Sequence, residues 1–463
     1  MKRNNKKGFT IVELVIVIAV IAILSAVLIP TFSGIVKKAR ISSDTQVARN
    51  LNTSLAADEA LNGKPENFNE VLNILKNDGY IISNINPTME GWYYVWESES
   101  NQILLVDGKY NVKHSAKALE NDTIGSTWYF AVSNANLTDT LTAKGANVAY
   151  VPKTTENFAN VFENISEANK DQTITIVEDL KLSGNFVAIK NNDSTAKVGL
   201  DLSGNTITTN GESIPITVSK DNIVTSDNAN VEKAFGQLTA AGGVLTIANG
   251  TIVNDTDSPF AISAIDKGVV YVENVTVDNK STAAANDKTT VALRVFGTNA
   301  KMYVKDTNIN ITAQKSGGIE VGSGEATFEN VTINVNNNNY HWASTCLMAS
   351  RGGKLIVKSG SYTSNGYGVV GFMTSAGTVE ISGGSFKAED SAKVFNIAYR
   401  PSWAGTEHKI IITGGTFNGT AFADITTQDA WAALCGYQDY AAAQLDKVTI
   451  TIENGTVTII AAN

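Results

Sequence analysis

Leu245-Thr246-Ile247-Ala248-Asn249-Gly250-Thr251-Ile252 is the stretch to which the C-terminal half of the chain keeps returning. Its template is apolar-x-apolar-x-(Asn/Gly/Asp/Ser)-x-x-apolar. The template recurs from Leu200 to Ile207, Val270 to Val277, Met302 to Ile309, Ala326 to Ile333, and Leu355 to Tyr362. It returns from Val379 to Phe386, Ile410 to Phe417 and Ile450 to Val457. Alternation with period two marks strand, and a small or amide residue at the fifth position marks a corner. That fifth position falls at 249, 274, 306, 330, 359, 383 and 414, a spacing of roughly 24–32 residues that signals stacked repeats. Second apolar strands lie between copies: Ala261–Ile265, Val291–Val295, Thr345–Met348, Gly368–Phe372 and Val394–Ile397. Two or three short parallel strands per turn, joined at Asn/Gly corners, describe a right-handed parallel β-helix. At about 4.8 Å per coil, nine coils predict a rod of roughly 40 Å. Leucine-rich and propeller periods fit poorly, because no regular helix separates the strands and coil length varies.

The repeated residues have structural explanations. Asn249, Asn274, Asn330 and Asn454 are expected to stack as an inward ladder, bonding coil to coil and tolerating left-handed backbone angles. Tyr362, Phe386 and Phe417 are expected to stack inside. These copies resemble the β-helix repeats of pectin-lyase-like proteins and bacterial surface adhesins, the Gly-Gly-Ser/Thr-Phe copies most of all. Such folds often carry polysaccharide lyases or hydrolases, so the resemblance makes a cell-anchored polysaccharide lyase or hydrolase the alternative function, with a non-catalytic glycan-binding module as a third reading. Polygalacturonase-type sites need clustered aspartates with Gly-His-Gly and Arg-x-Lys stretches. The three histidines, His114, His341 and His408, sit in no such setting. Arg294, Arg351 and Arg400 fall at or just past second-type strands, but Asp266, Glu320 and Glu380 look scattered, so a solvated face is expected for the arginines. Asp255, Asp257 and Asp287 could hold calcium weakly, yet no loop has EF-hand or RTX spacing. The expectation is no enzyme, no catalytic residues, no cofactor and no metal site.

The other decisive stretch is Lys6-Lys7-Gly8-Phe9-Thr10-Ile11-Val12-Glu13-Leu14, running on apolar to Ile29-Pro30. Residues 9–29 give about 20 apolar positions, enough for a helix to cross a ~30 Å hydrocarbon core. Glu13 alone does not fit. A carboxylate in a spanning helix costs roughly 2.5–3.5 kcal/mol and needs a partner. A cut after Gly8 would free a cationic amine at Phe9, four residues upstream, within reach in one chain or between chains. The helix dipole also favours a negative charge in the first turn. An ordinary secretory signal would have a shorter apolar region and small residues at its far end, such as Ser25 and Ala26.

Lys6, Lys7, Gly8, Phe9, Thr10, Glu13 and Pro30 make this stretch similar to the N-terminal segment of type IV pilins and pseudopilins. The resemblance is strong over about the first 60 residues. It implies cleavage after Gly8 by a prepilin peptidase and methylation of Phe9 by the same enzyme. It also implies assembly with other pilin-like subunits through Glu13, and a helix kink at Pro30. The expected location is the cytoplasmic membrane, crossed once, with the body at the cell surface and a glycan or protein as its extracellular ligand.

Between these stretches the chain reads in order. Ile35, Ala39, Val47, Leu51 and Leu55 continue the first helix until Gly63-Lys64-Pro65. Asn67 and Glu70 frame a second helix with Phe68, Val71, Leu72 and Leu75 on its apolar face and Gly79 at its end. Gly91–Trp96 and Asn101–Val106 read as a hairpin around Glu97-Ser98-Glu99-Ser100. Trp92 and Trp96 suit hairpin packing better than carbohydrate stacking. Strands at Trp128–Val132 and Val148–Val151 fit either the head or a connector, and Phe158, Val161, Phe162 and Ile165 predict a helix plugging the strand stack.

The expected organisation is a leader (1–8), a membrane and assembly helix (9–61), a small α+β pilin-like head (62–115), a connector (116–153) and an all-β parallel β-helix with a helix cap (154–463). The chain has 463 residues, 17% charged, with a net charge of −9. Losing Lys2, Arg3, Lys6 and Lys7 with residues 1–8 takes this to −13. An acidic body without a basic block speaks against nucleic-acid binding. The basic leader fits a cytoplasmic N-terminus. Cys346 and Cys435 sit in apolar runs and read as free buried thiols.

Overall fold

The computed structural model describes residues 10–66, 68–81, 85–107, 111–118, 127–129, 147–150, 172–176, 179–182, 188–190, 197–209, 216–219, 238–255, 260–281, 290–338, 341, 343–372, 377–390, 392–399, 408–439 and 448–461. The chain divides between Thr127 and Trp128 into two compact units.

The first unit begins with one helix, α1 (Ile11–Asn62), which continues through Pro30. Its 52 residues span about 78 Å. Pro30 has no N–H to give the carbonyl one turn back, a loss that neighbouring turns tolerate. Only the C-terminal part is covered, along Asp44, Ala48, Leu51 and Leu55. The apolar stripe expected from sequence starts too early: Ile35 is 58% exposed, and Val47 lies at the edge of the contact. Asp44 takes the buried place because its carboxylate accepts the Thr88 N–H (2.7 Å), the Thr88 hydroxyl (2.8 Å) and the Met89 N–H (3.0 Å). A buried carboxylate supplied with three donors no longer favours water so strongly.

Helix α2 (Phe68–Asn77) buries Phe68, Val71, Leu72 and Leu75 as its spacing predicts, and Gly79 at φ 85° closes it. Asn67 lies outside the described residues. Strands β1 (Trp92–Glu97) and β2 (Gln102–Asp107) form the antiparallel hairpin, and β3 (Val112–His114) adds to β2. The Asn52 side chain binds this sheet to α1, donating to the Ile103 carbonyl (2.8 Å) and accepting its N–H (2.7 Å).

The second unit is a parallel β-helix of three sheets. Sheet I stacks strands from Gln172–Ile176 through Lys301–Lys305 to His408–Ile412. Thr127–Tyr129 and Asn147–Tyr150 extend it by two parallel strands at its N-terminal edge. Sheet II runs from Leu180–Leu182 to Thr416–Phe417. Sheet III has ten strands among the described residues, from Ala188–Lys190 to Cys435–Asp439. It includes Ser316–Gly322, a strand the glycine pair Gly317-Gly318 hides in the sequence. The helix expected at 154–169 lies outside the described residues.

The corner between sheets I and II departs from expectation in one respect. Asn249, Asn274, Asp306 and Asn330 do adopt positive φ, from 47° to 59°. Their side chains do bond coil to coil: Asn274 Nδ2 donates to Asn249 Oδ1 (3.1 Å) and Asn330 Nδ2 to Asp306 Oδ1 (2.7 Å). Yet this ladder faces solvent, not the interior. At a corner the backbone turns outward, and water competes for amides more cheaply there than in an apolar core. The buried amides are others: Asn254 Nδ2 donates to Asn279 Oδ1 (3.0 Å), and Asn279 Nδ2 to Ser316 Oγ (2.9 Å).

The aromatic ladder is internal as expected. Tyr362, Phe386 and Phe417 are fully buried and stack at 5.0 and 5.2 Å. Helix α3 (Gln428–Ala433) ends the stack by setting Trp431 edge-on to Phe417 at 5.2 Å. The ninth sequence copy is not a coil. Val448–Glu453 and Thr456–Ala461 form an antiparallel hairpin whose second strand lies antiparallel on His408–Ile412. Its turn is Asn454-Gly455 with φ 51° and 71°, the pairing that favours a two-residue hairpin loop over a corner. Asn454 therefore joins no ladder. The hairpin covers an edge that would otherwise recruit other chains.

Cys346 and Cys435 are free and buried, on sheet III strands three steps apart. About 14 Å of strand spacing puts a disulfide out of reach. Burial raises both thiols, Cys435 up to about 12. His408 is 6% exposed, and burial pulls its pKa down to about 4 from 6.5. Between those values the unfolded chain binds the extra proton, so stability falls as pH drops through that window. His114, lowered by burial and by Arg49, acts in the same direction. We expect His408→Gln to flatten the decline in unfolding midpoint between pH 6.5 and 4 by the equivalent of about 2–3 kcal/mol. A pH titration of unfolding by circular dichroism, with the full chain in detergent, checks this.

Candidate assembly site and a buried ion pair on sheet III

The first turn of α1 is organised by a reciprocal pair. Thr10 caps the helix in extended backbone (φ −77°, ψ 154°). Its Oγ1 accepts the Glu13 N–H at 3.3 Å and donates to Glu13 Oε2 at 2.8 Å, while its own N–H reaches the same oxygen at 2.9 Å. This is a capping box, which orients the carboxylate back toward the chain's start. Charge reasoning finds Glu13 but misses Thr10; the Thr-x-x-Glu spacing before an apolar run was the available signal.

From Ile11 to Val36 the described large apolar side chains of α1 stand open, with Ile11 at 81%, Ile29 at 68% and Phe32 at 67% exposed. An apolar surface of this length cannot rest in water. Charge returns only at Lys37, Lys38 and Arg40. The uncharged run from Leu14 to Val36 is about 34 Å of helix against a ~30 Å hydrocarbon core. α1 is thus long and apolar enough to cross a membrane. Gly8 and Phe9 lie outside the described residues, so the amine–carboxylate pair expected from sequence does too. Of the expected site residues, Glu13 stands in the first turn and Pro30 within the same helix.

A second cluster lies on sheet III. Ser263, Arg294, Glu320 and Met348 are successive partners in register. Arg294 Nη1 donates to Glu320 Oε2, and Ser350 Oγ donates to Glu320 Oε1 at 3.0 Å. The Arg294 guanidinium lies 5.1 Å from the rings of both Phe260 and Phe296. Its side chain is 13% exposed and that of Glu320 4%. Burial lowers the Arg294 pKa, while Glu320 holds it up. This corrects two expectations. Glu320 is not scattered: 26 residues of sequence is one coil of distance. Arg294 is not on a solvated face, whereas Arg351 is exposed, 5.5 Å from the Phe296 ring. Arg400 lies outside the described residues. Among the described residues no three His, Cys, Asp or Glu side chains are placed to hold a metal ion. Trp96 is 1% exposed, packs 5.9 Å from Phe68 and donates to Asn101 Oδ1, which makes it core rather than a sugar platform.

Comparison with known proteins bears on the first site. The Prokaryotic N-terminal methylation motif family matches residues 3–29. A fimbrial protein of Moraxella nonliquefaciens is 42% identical over 53 residues, 11% of this chain and 34% of the relative. The type IV wide pilus major component PilA4 of Thermus thermophilus is 50% identical over 56 residues, 12% of this chain and 40% of the relative. The chain thus spans well under half the length of these relatives. No solved structure matches the chain. The chain therefore carries a type IV pilin-like N-terminal methylation segment, joined to a body that folds as a parallel β-helix.

Proposed function

We propose that this pilin-like surface protein is cut after Gly8 by a prepilin peptidase and methylated at Phe9. It then waits in the cytoplasmic membrane through α1 and assembles with other pilin-like subunits. The observation that carries the proposal is the uncovered apolar half of α1, opened by a carboxylate whose donors among the described residues, the Thr10 N–H and hydroxyl, are neutral. Neutral donors orient Glu13 but do not cancel its charge. The Phe9 amine of a neighbour would do so in the apolar core of an assembly. The β-helix then stands outside the cell as a non-catalytic rod for adhesion to a glycan or protein. The commitment of Arg294 to Glu320 supports that view over a lyase, since a base must be free to take a proton. So large a body suits a minor or tip subunit, or a lone tethered protein, better than a major filament subunit.

The test is co-expression of the full chain with a prepilin peptidase, followed by mass spectrometry of the mature N-terminus. We expect N-methylated Phe9. A chain beginning downstream of Ala26 would reject the proposal.

A further inference from the structure

The outer face of sheet II carries an unbroken uncharged row. Thr206, Thr251, Thr276, Asn308 and Thr332 are partners in register on successive coils. The row continues through Ser361 and Ser385 to Thr416. These are the seventh positions of the repeat, which the sequence template leaves unassigned. Their neighbours Ile252, Val277, Ile309 and Ile333 point into the core and are fully buried, so the row points out. Asn308, Ser361 and Ser385 are exposed and the threonines half-buried. Among the described residues, the hydroxyls of Thr251, Thr276 and Thr332 make no hydrogen bond within the chain.

Beside it, two residues along each strand, Asp278, Asn310 and Asn334 form a second row. Asn310 Nδ2 donates to Asp278 Oδ1 (2.9 Å), and Asn334 Nδ2 to Asn310 Oδ1 (3.4 Å), which fixes the amides in one orientation.

Threonine is a good strand former, so a few outward threonines need no ligand. Sheet I argues against that as the whole account. In the same coils no outward row of sheet I stays free of charge: Lys305 pairs with Glu273 (3.6 Å), Lys354 with Glu380 (2.9 Å) and Lys358 at its end with Glu329 (3.3 Å), and even the middle row of Thr246, Tyr271, Tyr303, Thr327 and Ile356 meets Glu380. One face is charged and mixed, as a solvated surface is. The other keeps charge out of its first row over eight coils, a length of about 34 Å.

We propose that the sheet II face binds an extended, neutral, β-linked polysaccharide lying along the rod. Such a chain presents neutral hydroxyls repeatedly along a straight axis, and the row faces it with hydroxyls and amides coil after coil. Repeated weak hydrogen bonds then add up as a multivalent contact. A polyanion or polycation gains nothing from a row without charge. This inference rests on the adhesive reading above and names its face and ligand class.

The test uses the full chain in detergent with microcrystalline cellulose, chitin and, as a coiled α-linked comparator, amylose. We expect retention on cellulose or chitin but not amylose. The variant Thr276→Arg/Thr332→Arg/Ser361→Arg should lower that retention at least tenfold, whereas Thr327→Arg on sheet I should not. Circular dichroism confirms that each variant folds. Undiminished retention by the triple variant, or equal loss with Thr327→Arg, overturns the assignment of this face and leaves adhesion standing. Binding to ice without binding to either polysaccharide overturns the ligand class. Failure of the full chain to bind any member of a glycan or protein array removes the adhesive reading itself.

Discussion

Glu320→Ala is expected to cost the β-helix roughly 3–5 kcal/mol, among the largest losses any single substitution outside the aromatic ladder would cause. The change removes the only carboxylate paired with Arg294 among the described residues and leaves its guanidinium between two phenyl rings with 13% of its side chain exposed. It also strands the Ser350 hydroxyl. The penalty is the desolvation of an uncompensated cation, not the strength of the bridge. Glu320→Gln keeps one acceptor oxygen for Arg294 and turns its NH2 to the Ser350 hydroxyl, which can accept, so it should lose less. Replacing both partners, as Arg294→Met with Glu320→Leu, should recover most of the stability, because apolar groups of similar volume ask for no compensation. Chemical unfolding of the full chain in detergent, followed by circular dichroism, measures all three. A Glu320→Ala chain within 1 kcal/mol of the parent would mean that water reaches Arg294 and the pair is not buried.

That pair shows where sequence stops being legible. Period-two alternation is a local property, so the inward residues of sheets I and II could be read directly, and Tyr362, Phe386 and Phe417 could be matched because their copies are alike. Which residue of one coil meets which of the next depends on coil length, and here that varies. Arg294 and Glu320 belong to different repeats in strands that look unrelated, and one of those strands carries the pair Gly317-Gly318 near its start. The template also could not tell a corner from a hairpin: Asn249-Gly250-Thr251 and Asn454-Gly455-Thr456 are the same tripeptide. The first turns a corner because a coil lies on either side to pair with it. The second folds back because the stack has ended. Direction at the Asn ladder failed for a related reason, since φ is set locally but inside and outside are set by the whole cross-section.

At the other end of the chain, Glu13→Ala is expected to abolish assembly while leaving cleavage after Gly8 intact. Alone in the membrane, the variant is better off: a carboxylate in a spanning helix costs roughly 2.5–3.5 kcal/mol, and alanine relieves it. Cleaved subunit should therefore accumulate rather than be lost. In an assembly the balance reverses, because the Phe9 amine of a neighbour then lies in apolar surroundings without an anion. A penalty of that size corresponds to an incorporation defect of about a hundredfold. The capping box offers a competing explanation, since Glu13 also closes the first turn by accepting from Thr10. Glu13→Gln separates the two. Glutamine serves as well as glutamate in a capping box but carries no charge. If charge pairing drives assembly, glutamine and alanine fail alike. If helix capping is what matters, glutamine assembles as the parent does and Thr10→Ala becomes the damaging change. Counting the assembled fraction of these three variants against the amount of cleaved subunit in the membrane distinguishes a carboxylate that needs a cation from one that merely orders a turn.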